Sequence, residues 1–213
     1  MIKQAQRNIY LSGGGDEHAS FLLDSSFFSR IEQGGDLLYI PIALRGKRSF
    51  DYCEDWFKAV LNAHGRDDIN VTTWKNIDAM QFTLLNEVSA VYVGGGNTWS
   101  LMKELVESGL DHYLKKYIEE GGLYYGGSAG AIVLGLRVDT QDDPNTCDWS
   151  TNEGLNVLQG TSVACHVKDE DLEKVLNGLH SLGPIIALSE TAGVYFNGNT
   201  FSCYGSGVCE HSV

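Results

Sequence analysis

The sequence predicts an α/β fold, a mostly parallel sheet sandwiched by helices, and three observations carry that prediction. Short β-rich runs alternate with longer segments of helical period, and glycine clusters close three of the runs. A chain of 213 residues that is 43% apolar can also fill one hydrophobic core. No stretch has the proline, serine or charge content of a linker, and no internal repeat is present, so residues 1–213 are read as one domain.

Taken in order, residues 9–12 read as a strand, 16–32 as a helix and 37–42 as a strand, which is the βαβ rhythm of a parallel sheet. A helix follows over 50–61, then strands at 69–73 and 90–93, and helical periodicity over 100–120. Residues 123–125 form a short strand that turns through Gly126 and Gly127 into another helix. Beyond Asp139 the pattern weakens, leaving strands at 161–165, 185–188, 193–196 and 200–204 and one helix over 169–179.

Fifteen Lys and Arg against 28 acidic residues give a net charge of −13, which repels phosphate backbones and argues against nucleic acid as a partner. The first residues lack the apolar run of a signal peptide and no later segment could span a bilayer, so a soluble, cytoplasmic protein is expected, with no membrane partner. The five cysteines are scattered and form no C-x-x-C pair; they read as free thiols in a reducing compartment.

Gly13-Gly14-Gly15, Gly94-Gly95-Gly96 and Gly126-Gly127 all fall at the carboxyl ends of strands, the edge where open α/β sheets bind ligands. None of the clusters spells a dinucleotide or P-loop fingerprint, because His18 and Trp99 stand where the last glycine would be needed. Gly126-Gly127-Ser128-Ala129-Gly130 does match G-x-S-x-G between a strand and a helix. Glycines two residues either side permit a sharp turn that raises the serine hydroxyl above the sheet and aims the N–H of Ala129 at the same space, where it could hold an oxyanion.

A serine nucleophile needs a base, commonly histidine, and a carboxylate to orient it. Among six histidines, His18, His64 and His112 read as solvated surface groups, His180 as a helix end and His211 as part of the terminus. His166 ends the apolar run 161–165 and emerges at a strand end. The candidate carboxylates are Glu190, at the end of 185–189, and Asp139, Asp142 or Asp143 after the nucleophile helix.

These residues together resemble peptidase family S51, the dipeptidase E and cyanophycinase group. Val93-Gly94-Gly95-Gly96-Asn97-Thr98 is similar to its glycine loop, Gly127-Ser128-Ala129-Gly130-Ala131 to its nucleophile turn, and Cys165-His166 to its base. Ser189-Glu190-Thr191-Ala192 resembles its third catalytic segment. The resemblance implies a class I glutamine amidotransferase-like (flavodoxin-like) architecture, with Ser128 as nucleophile, His166 as base and Glu190 as orienter. It implies an oxyanion hole from the amides of Gly96 and Ala129, and substrate contacts at Gly95, Asn97 and Asp143. One departure stands out: members specific for an N-terminal aspartate carry arginine between their histidine and glutamate, whereas here the last arginine is Arg137. Lys168 and Lys174 are the cations of that segment, and Arg45 or Arg48 could fold over the site from upstream.

The expected activity is therefore hydrolysis of a dipeptide or short peptide through an acyl-enzyme, without metal or cofactor, and a homodimer is compatible with it. Strict aspartyl specificity is not expected. Two rivals follow from the same residues. An α/β-hydrolase esterase would follow the order Ser, acid, His and would need His180 or His211 as base, and a non-catalytic small-molecule or peptide-binding protein would keep only the pocket.

Overall fold

Strands buried on both faces read as unbroken apolar runs, and the segment Ala90–Val93 is buried at all four positions. The computed structural model describes residues 6–77, 82–179, 183–206 and 209–212. Strands β1 (Asn8–Ser12), β2 (Asp36–Ile40), β3 (Asn70–Thr73), β4 (Ala90–Val93) and β5 (Leu123–Gly127) pair in parallel. With β8 (Ala192–Phe196), antiparallel to β1, and β9 (Phe201–Gly205), antiparallel to β8, they form a seven-stranded sheet of order β3-β2-β4-β5-β1-β8-β9. A second sheet holds β6 (Ser162–Ala164), β7 (Ile185–Leu188) and β10 (Cys209–Ser212) in the order β10-β7-β6.

Period-2 alternation divides the main sheet's side chains between two cores. Tyr10, Tyr39, Tyr92 and Tyr125 face helices α1 (Phe21–Phe28) and α2 (Phe50–Ala63). Ile9, Leu38, Val91 and Tyr124 face α3 (Thr98–Ser108), α4 (Leu110–Glu119), α5 (Ala129–Ile132) and the inner face of the small sheet. The outer face of that sheet, Ala164, Ile185 and Ala187, is covered by α6 (Leu172–Leu179). The layers keep the predicted α/β class, and a second sheet is added to it.

Local chemistry explains where boundaries differ from expectation. The first helix begins only at Phe21, because Asp16 accepts hydrogen bonds from the N–H groups of His18 and Ala19 and folds residues 16–20 into turns. Residues 100–120, read as one helical segment, form two helices because Gly109 adopts φ 79° and ends the first. The second strand stops at Ile40, ahead of Pro41 and a 3-10 turn over Ile42–Leu44.

The five cysteines are not all free thiols. Cys203 and Cys209 are joined in a disulfide, because β9 and β10 bring their Cα atoms to 6.2 Å, within bridging range. Cys53, Cys147 and Cys165 are free. Among the described residues no helix is long and apolar enough to cross a membrane.

Candidate active site

Ser128 stands at the end of β5 with φ 47° and ψ −108°, a region that a side-chain-bearing residue enters only when its surroundings fix it. Its N–H donates to the Ser12 carbonyl, and its own carbonyl accepts from Ala131 and Ile132 at the start of α5. The flanking glycines are required by contact. A Cβ on Gly126 would lie 2.4 Å from the Gly130 carbonyl oxygen, and one on Gly130 would lie 2.3 Å from that of Val93. The turn is thus pressed against β4, with the hydroxyl as its outward group.

His166 follows β6, with φ 56°, and its N–H donates to the Gly13 carbonyl at 2.9 Å. Its Nε2 lies 2.7 Å from Ser128 Oγ, and its Nδ1 lies 3.0 Å from Glu190 Oε1. The side chains of His166 and Glu190 are 40% and 61% exposed. Two neighbours that sequence reasoning did not assign hold this histidine. Gly14 leaves room for the ring, since a Cβ there would sit 2.2 Å from His166 Cε1, and Gln141 Nε2 donates to the Cys165 carbonyl at 2.7 Å. Burial pushes the adjacent Cys165 thiol far above its usual range, so it stays protonated.

The first glycine cluster thus makes room for His166 and the second stands over Ser128, where a Cβ on Gly95 would lie 3.2 Å from Ser128 Cβ. Gly96 is pressed on the Ala43 carbonyl and needs φ 145°. Among the described residues the N–H groups of Gly96 and Ala129 donate no hydrogen bond within the protein. Gly95, Gly96, Ser128 and His166 line one cavity of about 370 Å³ with Tyr39, Arg48, Tyr52, Trp56 and Tyr92. Only Arg48 of those five was foreseen from the sequence. The rest sit on β2, β4 and α2, and their apolar spacing reads as core.

Asn97 and Asp143, expected as substrate contacts, are engaged within the protein. Asn97 is 6% exposed and caps α3 by accepting from the Ser100 N–H at 2.8 Å, while its amide donates to the Pro144 carbonyl. The Asp143 carboxylate accepts from both the N–H and the hydroxyl of Thr98, at 3.0 and 2.8 Å. Both tie the loop after α5 to the helix that follows the glycine loop, and neither lines the cavity at Ser128.

The other candidates separate cleanly. Asp139 is engaged by Arg137 and Asn152, and Asp142 lines a second hollow beside His166. His18 and His112 are exposed, as expected, but the His64 side chain is only 2% exposed, stacked on Phe21 and bonded to Ser25 Oγ. Burial holds its pKa below the usual histidine range. His180 lies outside the described residues, and His211 sits on β10 opposite Ile186.

The family model for peptidase family S51 matches residues 9–204. Peptidase E of Haemophilus influenzae is 29% identical over 111 residues, covering 52% of this chain and 49% of that protein. An uncharacterized peptidase of Listeria innocua, Lin0382, is 32% identical over 132 residues, covering 59% of this chain and 62% of that one. The chain spans about half the length of the curated relatives it matches. In three dimensions, a Listeria monocytogenes protein described as a candidate peptidase E superposes with a TM-score of 0.72 at 22% identity, covering 95% of this chain and all of that one. A peptidase from an acI-B1 actinobacterium gives 0.69 at 21% identity, covering 95% and 89%. These two likenesses establish a shared fold, and the family match over nearly the whole chain establishes more: this protein belongs to peptidase family S51.

Proposed function

We propose that this chain is a serine peptidase that hydrolyses dipeptides or short peptides through an acyl-enzyme. The observation that carries this reading is the continuous line Ser128 Oγ, His166 Nε2, His166 Nδ1, Glu190 Oε1, with spacings of 2.7 and 3.0 Å at its two hydrogen bonds. With Nδ1–H donating to Glu190, Nε2 is the acceptor and takes the serine proton as Oγ attacks the peptide carbonyl. The carbonyl oxygen becomes an oxyanion facing the N–H groups of Gly96 and Ala129, each contributing about 10²–10³ in rate. Nε2–H then protonates the departing amine as the C–N bond breaks. Water attacks the resulting ester by the reverse roles and releases the acid and Ser128.

The 2.7 Å contact favours His166 over His180 or His211 as the base, and with it the peptidase order over the esterase order. Activity separates it from a pocket that only binds. The purified protein should react with a fluorophosphonate probe and hydrolyse members of a dipeptide library. Ser128→Ala should abolish both, and His166→Ala should lower kcat by at least about 10³, each with a nearly unchanged thermal midpoint. A Ser128→Ala protein that kept a tenth of the activity would remove the proposal.

A further inference from the structure

The cavity beside Ser128 is chemically polarised. Its floor is aromatic and buried: Tyr39 is 1% and Tyr92 5% exposed, with Cys53 and Trp56 beside them. Its rim carries Arg48, which is exposed and holds its guanidinium over the Tyr52 ring, 5.2 Å from the centroid. Among the described residues, Arg48 is the one Lys or Arg lining this cavity and no Asp or Glu lines it, although the chain carries a net charge of −13. Nearby Arg45 is bound to Glu104 at 2.9 Å, but among the described residues Arg48 has no carboxylate within 4.0 Å. A guanidinium with its planar donors open, at the mouth of an aromatic hollow, fits a ligand with an apolar body and one carboxylate end.

Resting on the peptidase reading, we propose that this cavity receives the residue on the leaving side of the scissile bond and that Arg48 binds that residue's free α-carboxylate. The site would thereby select substrates that end one residue after the cut. The leaving amine takes its proton from His166, so the leaving residue must lie against both Ser128 and His166, and this cavity touches both. The second hollow at His166 does not touch Ser128 and sets Asp139, Asp142 and Asp171 against Lys168 and Lys174, a lining that repels a carboxylate on balance. Within the first cavity the aromatic floor suits a side chain, since a charge placed there would lose its water. The exposed rim suits a group that stays charged. A longer peptide would present a neutral amide at Arg48 and forfeit a charge-assisted, bidentate pair.

The test uses binding and turnover in parallel, with Ala-Phe, Ala-Phe amide and Ala-Glu amide as probes. By calorimetry on Ser128→Ala protein, Ala-Phe should bind about thirtyfold more tightly than its amide. Adding Arg48→Ala should bring that ratio close to one, and Arg48→Lys should retain part of it. Equal binding of acid and amide, a ratio that survives Arg48→Ala, or no binding of any probe would each overturn the proposal. Tight, Arg48-dependent binding of Ala-Glu amide would assign the arginine to an acidic side chain and overturn it too. In the otherwise native enzyme, Arg48→Ala should raise KM for Ala-Phe while leaving kcat and fluorophosphonate labelling nearly unchanged. If no peptide is cleaved and no probe reacts, yet the acid-to-amide ratio persists, the peptidase reading fails and the carboxylate site stands.

Discussion

The two halves of the proposed catalytic line are held in opposite ways. Ser128 is carried by the central parallel sheet, between β4 and the start of α5, in a turn where Gly126 and Gly130 meet neighbouring backbone directly. His166 and Glu190 extend from the ends of β6 and β7, in the small sheet, with side chains 40% and 61% exposed. Ser128 is fixed by packing that cannot relax. His166 and Glu190 are fixed by a few hydrogen bonds open to water. A side chain added at the glycines flanking Ser128 should therefore be felt first as lost stability, and a substitution at Glu190 first as a partial loss of rate.

The largest effect expected from this contrast is at Gly130. A methyl group there would lie 2.3 Å from the Val93 carbonyl oxygen, a backbone atom of a buried strand that has nowhere to move. Gly130→Ala should cost about 3 kcal/mol or more and lower the thermal midpoint by about 10 °C, together with activity. A midpoint within a degree or two of the native one would show that the turn is more adaptable than its contacts indicate.

Glu190→Gln should be milder. A glutamine can still accept from His166 Nδ1, and a carboxylate 61% exposed is already shared with solvent, so its charge is screened. We expect kcat/KM to fall about tenfold to thirtyfold, with the thermal midpoint unchanged. The buried aspartate of the chymotrypsin-type triad is worth about 10⁴ when made an amide. A loss of that size here would mean that substrate binding seals Glu190 from water, erasing the difference between the two halves.

The same contrast explains what could be read in the sequence. The sharp turn at Ser128 was legible because its whole constraint lies within five residues, Gly126 to Gly130, after a strand. His166 and Glu190 were legible as polar residues ending apolar runs, the form a loop at a sheet edge takes. Membership of those runs in a separate sheet was not legible, since strands of three or four buried residues look alike in either sheet. Asn97 and Asp143 lie next to the site in sequence, and only the fold shows their oxygens engaged by the first turn of α3. Cys203 and Cys209 pair because β9 and β10 bring their Cα atoms to 6.2 Å, which their spacing in the sequence alone does not specify. The aromatic floor comes from β2, β4 and α2, where aromatic residues serve core and cavity with the same pattern, whereas Arg48, in the turn before α2, was open to a sequence reading as a cation beside the site.

The smallest effect expected lies beneath β5 and concerns pH. Tyr125 of β5 donates its hydroxyl to Asp24 of α1, which is 1% exposed and also accepts from Ser20 Oγ at 2.7 Å. Burial raises the Asp24 pKa to about 6, and the bonds from Tyr125 and Ser20 only partly offset this. A carboxylate whose folded pKa lies above its unfolded value binds its proton more tightly in the folded state, so its contribution to stability falls as pH rises from about 4 to about 6. Buried His64 acts in the other sense, because its depressed pKa removes stability as pH falls below the ordinary histidine range, and its Nε2 lies 3.9 Å from Asp24 Oδ2. That contribution is present with either residue at position 24 and largely cancels in a comparison. Asparagine keeps an acceptor for Tyr125 and a donor for Ser20 without the charge. Asp24→Asn should accordingly be more stable than the native protein at pH 7 by about 1 kcal/mol, or about 2–4 °C in the midpoint. The advantage should shrink toward zero as pH is lowered through 6 to 4. An Asp24→Asn advantage that stayed constant from pH 7 to 4 would show that the buried carboxylate beneath β5 does not couple pH to stability.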